Sequence, residues 1–478
     1  MKAYPKLYSA SEEQLELLHQ YSIKIIQTIG MRIEDPEVRA MLCEHGCTEK
    51  GDRVYFAPEL VAEMIESLKQ EVTFTSATTG QKLKVELGGT YTHSTGGIPW
   101  IVDHKTGEKR DTSEKDLIDA LHVMNQLPNI DLPCALVYPN EYPTEVTQLK
   151  QTALMFKHCK KPIYTPGISM PSNVKYIVEL FKLFGGEDVA HNPIGMAAVA
   201  ADSPLFLPKD ITDCVRLLVE AGIPTALHAA PMAGLTGPLS VVGTVAQSHA
   251  EVLAFACVAY LYNPECVLIH GARPFFVNMK SAQNLLGLPE TGIGSSLASQ
   301  LAGHIGMMTD VYGIACTSCT TDAQLGYEKM INGLLPALGG GTIITGFGST
   351  ASLMCCSLNQ LIIDDEIIGM IKKATKPLEF DDEEDFGYEA ICEVVANNET
   401  FMEQDHTIEH LRSEVFTQSI GFDSVWADWE CQGTPDLVAR AGDRVDELLA
   451  KDEPIEFDPE LLAKVDDLIK RAEEELLK

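Results

Sequence analysis

From residue 89 onward, short apolar runs alternate with longer segments whose apolar positions recur at helical spacing. The runs fall at 89–95 (GTYTHST), 131–138 (DLPCALVY), 161–166 (KPIYTP), 194–200 (IGMAAVA), 223–229 (IPTALHA), 266–271 (CVLIHG), 309–316 (TDVYGIAC) and 342–347 (TIITGF). The helix-period segments are 113–126, 145–158, 172–184, 209–221, 241–261, 292–305, 322–338 and 351–373. Strands separated by helices imply right-handed crossovers and a parallel sheet. Eight such units predict an α/β protein built as a (β/α)8 TIM barrel. An open doubly wound sheet would show a glycine-rich phosphate turn after its first strand, and GGTYTHSTGG lacks the GxGxxG order.

Two segments flank the barrel. Residues 1–88 predict an N-terminal α/β extension. A helix starts at Ser11, with apolar spacing through Leu15, Leu18, Ile23 and Ile26, and RVYF (53–56) and EVTFT (71–75) read as short strands. Residues 89–375 form the predicted barrel. Residues 376–478 open with the acidic stretch PLEFDDEEDFGYEA and continue as a helical region packed on the barrel. The terminal PELLAKVDDLIKRAEEELLK is amphipathic but too short for a coiled coil.

Charge narrows the partners. The 36 basic residues are outnumbered by 69 acidic ones, for a net charge of −33, which argues against a nucleic-acid partner. The N-terminus is too polar for a secretory signal, and no run is read as reaching the ~18 apolar residues of a membrane span. The expectation is a cytoplasmic protein without a membrane partner. Thirteen cysteines, an odd number, suit small buried thiols in a reducing compartment.

In a barrel of this kind chemistry sits at the carboxyl ends of the strands. The residues there are Tyr91, His93 and Thr95 on the first strand, Tyr138 on the second, Tyr164 on the third and Asp202 on the fourth. His228 follows on the fifth, His270, Arg273 and Phe275 on and beyond the sixth, Asp310 and Tyr312 on the seventh, and Phe347 on the eighth. His93, His228, His270 and Asp310 raise the alternative of a metal-dependent barrel hydrolase or lyase. The first strand lacks a His-x-His pair and no HExxH occurs, so no metal ligand is assigned. Cys316 and Cys319 form a Cys-x-x-Cys at the exit of the seventh strand, without the second pair that a structural zinc site needs. They read as small residues lining or supporting a pocket.

Several runs carry a family likeness: PTALHAAPMAGLTGPLSVVGTVAQSHAEVLA (224–254), LGLPETGIGSSLASQLAGHIG (286–306), TDAQLGYEKMINGLLPAL (321–338) and SLNQLIIDDEIIGMIKKA (357–374). With 96–131 and 423–441, they resemble the trimethylamine methyltransferase (MttB-like) superfamily over nearly the whole chain. The resemblance implies a TIM barrel and methyl transfer from a methylamine to a corrinoid protein. It places the position of the pyrrolysine carried by trimethylamine-using members at Ala315. A chain without pyrrolysine resembles the homologues that use quaternary amines such as glycine betaine, proline betaine or carnitine.

A quaternary nitrogen already carries its charge, so its methyl group needs no acid or imine to activate it. Aromatic faces suit such a cation, at ~0.5–2 kcal/mol each. Tyr91, Trp100, Tyr138, Tyr164, Phe275 and Phe347 are the rings available. Arg273 is the candidate for a betaine carboxylate through a forked pair, with His228 or His270 as a further donor. Asp310 either attracts the ammonium or neutralises Arg273. No Asp-x-His-x-x-Gly occurs, so the corrinoid is expected on a separate cognate protein, and a homo-oligomer is expected. A non-catalytic betaine-binding protein is the remaining alternative.

Overall fold

The computed structural model of the protein describes residues 6–378, 380, 386–451 and 453–478; part of the acidic stretch after Lys376 lies outside them. Seven of the eight strand positions are regular strands: Tyr91–Ser94, Ile163–Tyr164, Gly195–Ala201, Thr225–Ala229, Leu268–Ala272, Asp310–Tyr312 and Ile343–Phe347. They are the first and the third to eighth positions, and every ladder among them is parallel. One continuous sheet runs from the third to the sixth, another from the seventh through the eighth to the first.

The remaining seams are single bridges. The second position, 131–138, meets its neighbours at His93↔Leu132 and Cys134↔Tyr164, and the sixth meets the seventh at His270↔Thr309. The barrel is therefore not closed as one continuous sheet. Pro133 contributes to the break, since it brings no N–H to the ladder of the second position.

Seven of the eight helices fall where the apolar spacing predicts them, and caps explain several of their starts. Ser113 and Asp116 form a reciprocal capping box on Glu114–Gln126. Asp322 accepts from Leu325 N at the head of Ala323–Leu338. The eighth helix departs from expectation: it is Leu358–Thr375, capped by Ser357, not a helix from residue 351. Residues before it form a hairpin, Ser349–Thr350 against Cys355–Cys356, whose tip Ala351, Ser352 and Leu353 has φ of 51°, 53° and 67°. A right-handed helix cannot pass through three such residues.

The N-terminal extension plugs the lower end of the ring. Its hairpin, Glu71–Thr75 with Lys82–Glu86, sends Val72, Phe74 and Val85 into a cluster with Cys134, Tyr164, Met196, Ala198, Ala226, Ile269, Met308 and Ile343. Burying each large apolar side chain contributes ~1.5–3 kcal/mol. At the other end of the chain, Leu437–Ala450 packs on Leu358–Thr375 and Glu114–Gln126, burying Ala441, Val445 and Leu448. Pro459–Leu476 packs on Thr144–His158 and Pro171–Gly185, burying Val465, Leu468 and Ala472.

The hydropathy expectation needs one correction. Val241–Tyr262 is a helix long and apolar enough to cross a membrane, but 78% of its apolar window is buried inside the protein. It packs against the fifth and sixth strands and helix Glu12–Thr28. The continuous apolar character reflects contact on all sides.

Candidate active site

Five side chains from five strand ends meet inside the ring. Asp310 is fully buried at their centre. Arg273 Nη2 donates to Asp310 Oδ1 at 2.5 Å. His228 Nε2 lies 2.9 Å from Asp310 Oδ2, and the Tyr164 hydroxyl donates to that same oxygen. His93 Nε2 is 3.1 Å from Oδ1 and 3.3 Å from Arg273 Nη2. The Nδ1–H of His93 donates to Ser94 O at 2.7 Å, so in the neutral ring Nε2 accepts from Arg273; doubly protonated, it donates to Asp310. The His93 and Tyr164 rings stack at 4.2 Å.

Backbone geometry makes room for this. A Cβ on Gly271 would lie 2.2 Å from His228 Cδ2, so only glycine lets the imidazole lie against the sixth strand.

The electrostatics follow from burial and pairing. Burial would raise the Asp310 carboxyl, but Arg273, His93 and the bonds from His228 and His93 outweigh it and hold it well below the usual range. Burial, then the Arg273 charge, pushes His228 down to about 4 against the pull of Asp310. Burial and Asp310 drive the Tyr164 phenol well up. At neutral pH Asp310 is thus an anion, His228 and Tyr164 are neutral, and Arg273 balances Asp310. Of the two roles expected for Asp310, the structure shows neutralisation of Arg273.

An apolar wall stands beside this network. Phe275, Leu286 and Ala315 form a buried cluster against which Ala230, Met232, Tyr312 and Leu353 pack. The Arg273 guanidinium lies 5.2 Å from the Tyr312 ring centre, and Phe275 meets that ring edge-on at 6.2 Å. Ala315, fully buried, is part of the wall.

The structure separates the other sequence candidates from this site. His270 points out of the ring into the helix layer, where its Nε2 is 2.7 Å from His249 Nδ1, and His249 Nε2 is 3.0 Å from His19 Nδ1. The alternation of strand faces puts Ile269 inside and His270 outside. Phe347 is fully buried in the main core with the helices, because an irregularity between Thr345 and Phe347, at Gly346 with φ +128°, breaks the alternation. Tyr91 packs at the plugged end of the ring. Tyr138 is half-buried and donates to Thr144 Oγ1 at 3.4 Å. The face of Trp100 is taken by Lys109 Nζ, 3.7 Å from its centre.

The Cys-x-x-Cys belongs to the wall's support. Both thiols are free; Cys316 is buried and Cys319 exposed. Burial pushes the Cys316 thiol up to about 11, so it is no thiolate at neutral pH. Their loop is held from one side by the Glu328 carboxylate, which accepts from Thr317 N at 2.7 Å and Ser318 N at 3.1 Å. On the other side Ala351 N and Ser352 N donate to Ser318 O and Cys316 O, at 2.7 and 2.9 Å. Glu328, Leu286, Met232 and Leu353 are residues the sequence reading missed. The three apolar ones look like ordinary core positions, and Glu328 looks like a charge on an amphipathic helix.

Fold and site together define an α/β scaffold with a balanced ionic centre beside an apolar cluster. Residues 1–476 match the family described as Trimethylamine methyltransferase (MTTB), and the chain belongs to that family. It is 28% identical over 467 residues to glycine betaine methyltransferase of Desulfitobacterium hafniense (strain Y51), covering 96% of each chain. It is 25% identical over 479 residues to trimethylamine methyltransferase MttB of Methanosarcina barkeri (strain Fusaro / DSM 804), covering 96% of this chain and 94% of that one. Among solved structures it resembles the Methanosarcina barkeri monomethylamine methyltransferase (MtmB), with a TM-score of 0.54 at 10% identity, over 94% of this chain and 89% of that one. That likeness concerns the fold.

Proposed function

We propose that the chain transfers a methyl group from a quaternary amine of betaine type to the Co(I) corrinoid of a separate cognate protein. The observation that carries this reading is Ala315. It is a methyl-sized, fully buried side chain beside Phe275 and Leu286, at the position where the resemblance places pyrrolysine. The wall supplies no electrophile there, so the donor nitrogen must bring its own positive charge. The similarity to a glycine betaine methyltransferase supports the same donor class.

The chemistry assigned to this chain is alignment and exclusion of water. As the methyl leaves, the donor nitrogen turns from cation to neutral amine. A site that gripped the cation with a bare carboxylate would stabilise the ground state more than the transition state. Asp310 is already balanced by Arg273, and the Phe275 and Tyr312 rings offer weaker, non-directional attraction. Arg273 is the donor proposed for the carboxylate end of the amine, since the single N–H of neutral His228 is taken by Asp310. The corrinoid supplies the acceptor metal, and the ring's open carboxyl end is the proposed docking face. We take the interrupted ring as a (β/α)8 barrel that keeps this face clear of the N-terminal plug.

The second reading is a metal-dependent hydrolase or lyase: His93, His228 and Asp310 converge, yet among the described residues no group of three or more His, Cys, Asp and Glu is arranged to hold a metal ion. The Arg273 guanidinium on Asp310 opposes a cation at that point. Purified chain mixed with reduced cobalamin and a panel of methylated amines tests both. Methylation of the cobalamin with a quaternary amine, and none with trimethylamine, is expected. Silence with every quaternary amine, together with stoichiometric bound zinc, would favour the hydrolase.

A further inference from the structure

The eighth unit does not run from its strand straight into its helix. It first makes the hairpin Ser349–Thr350/Cys355–Cys356, whose tip holds three consecutive non-glycine residues in the left-handed region. Such residues persist only where surrounding contacts over-determine them, and they gather at ligand clamps. Here the contacts are specific. Ala351 N and Ser352 N hold the carbonyls of Ser318 and Cys316, and Ser352 Oγ donates to Asn284 O at 2.8 Å. Ser352 is buried, while Met354, two residues on, is 42% exposed.

The result of this conformation is the placement of Leu353. Its side chain packs against the cluster of Phe275, Leu286 and Ala315. The loop bearing Ala315 is held on its other side by Glu328, so the clamp closes on a fixed support. Every partner of Leu353 in the cluster is apolar, so its influence on a ligand is steric.

We propose that Ala351, Ser352 and Leu353 form a rigid clamp that sets the size of N-substituent the chamber admits, with Leu353 as its specificity-determining residue. This rests on the functional reading above and adds to it the determinant of donor size. An apolar contact of one methylene discriminates by roughly 10–200-fold. Leu353 thereby separates trimethylammonium donors from bulkier dialkyl or ethyl-substituted ones.

The test compares Leu353→Ala, Leu353→Gly and the control Met354→Ala with the unaltered chain. Calorimetric affinity and methyl transfer to reduced cobalamin are both measured for a trimethyl betaine and its ethyl-dimethyl counterpart. Both Leu353 variants are expected to shift the affinity ratio at least ~10-fold toward the larger donor. Leu353→Gly removes the wedge while accepting the left-handed backbone, so it keeps the test sound if the alanine variant folds poorly. Met354→Ala is expected to leave the ratio within about 2-fold. An unchanged ratio in both Leu353 variants overturns the clamp, whatever the transfer assay gives. Binding without methyl transfer in the unaltered chain sinks the functional reading alone and leaves the ratio to judge the clamp. A chain that binds neither donor overturns both.

Discussion

The sixth strand carries a buried polar network on each of its faces, and the two differ in kind. Inside the ring, Arg273 and Asp310 set opposite full charges beside the neutral His228 and Tyr164, with His93 bonded to both ions. Outside it, His270, His249 and His19 form a chain of imidazoles at 2.7 and 3.0 Å with no carboxylate between them. Burial depresses the outer rings: His270 to about 3 and His249 well below the usual range. Neutral imidazoles each donate once and accept once, so the outer chain satisfies itself and fastens helix to helix. The inner network holds ions in a fixed arrangement beside the apolar cluster of Phe275, Leu286 and Ala315. The same residue type is thus structural on one face and a site candidate on the other, and the face decides which.

The largest expected effect comes from breaking the inner pair. Asp310→Asn leaves Arg273 buried without its counter-charge and should cost about 3–5 kcal/mol of stability, with loss of methyl transfer. Urea unfolding reads the first and the cobalamin assay the second. A cost below about 1 kcal/mol would mean the ion pair does not organise the site.

Acid should separate the two networks next. His228, His249 and His270 have folded values below that of an unfolded histidine, ~6.5. The unfolded chain takes up protons first, so stability is full above pH ~6.5 and falls as the pH drops toward the folded values. Asp310 is a carboxyl held low, so its sign is opposite: it contributes stability above ~4 that is lost only as pH falls through its folded value. Between pH 7 and 5 each buried imidazole therefore costs roughly 2 kcal/mol. His304 works the other way, since its bond to Glu16 raises it, but it lies near the surface. His249→Phe should flatten the acid-induced loss by about 2 kcal/mol in paired urea titrations at pH 7 and 5. An identical slope in variant and parent would contradict neutral outer rings.

Two smaller effects sharpen the inner side. Arg273→Lys keeps the charge on Asp310 but loses the planar fork. The KM for a betaine should rise about 10-fold and that for choline, which lacks the carboxylate, by less than about 3-fold. Equal changes would remove Arg273 from carboxylate recognition. Tyr312→Phe keeps the ring beside Arg273 and Phe275 and should alter kcat/KM by no more than about 3-fold. A far larger loss would give the Tyr312 hydroxyl a role that its ring does not explain.

Much of the site was legible because strand ends are legible. His93, Tyr164, His228, Arg273, Tyr312, Phe275 and Ala315 stand at or beyond the exits that the alternating pattern marks, while Asp310 opens the seventh strand. The errors share a cause. Distance along a strand brings His270 and Phe347 to the same exits, whereas contact depends on which side of the pleat a residue occupies. At Phe347 an irregularity beside Gly346 changes the side without any change in apolar pattern. The hairpin at 349–356 was hidden for a similar reason: ASLMCC is apolar enough to continue into the helix, and only the contacts with Cys316, Ser318 and Asn284 hold its left-handed turn.

By itself, the order of apolar and polar residues determined seven of the eight strands and seven of the eight helices between and after them, because those follow from local periodicity and caps. It also carried the family likeness. The tertiary structure alone decided that Asp310 neutralises Arg273, that His270 leaves the site for a chain of imidazoles, and that Leu353 packs against the cluster containing Ala315. These depend on contacts between residues tens to hundreds of positions apart, where side-chain direction and burial set the energies and no local pattern records them.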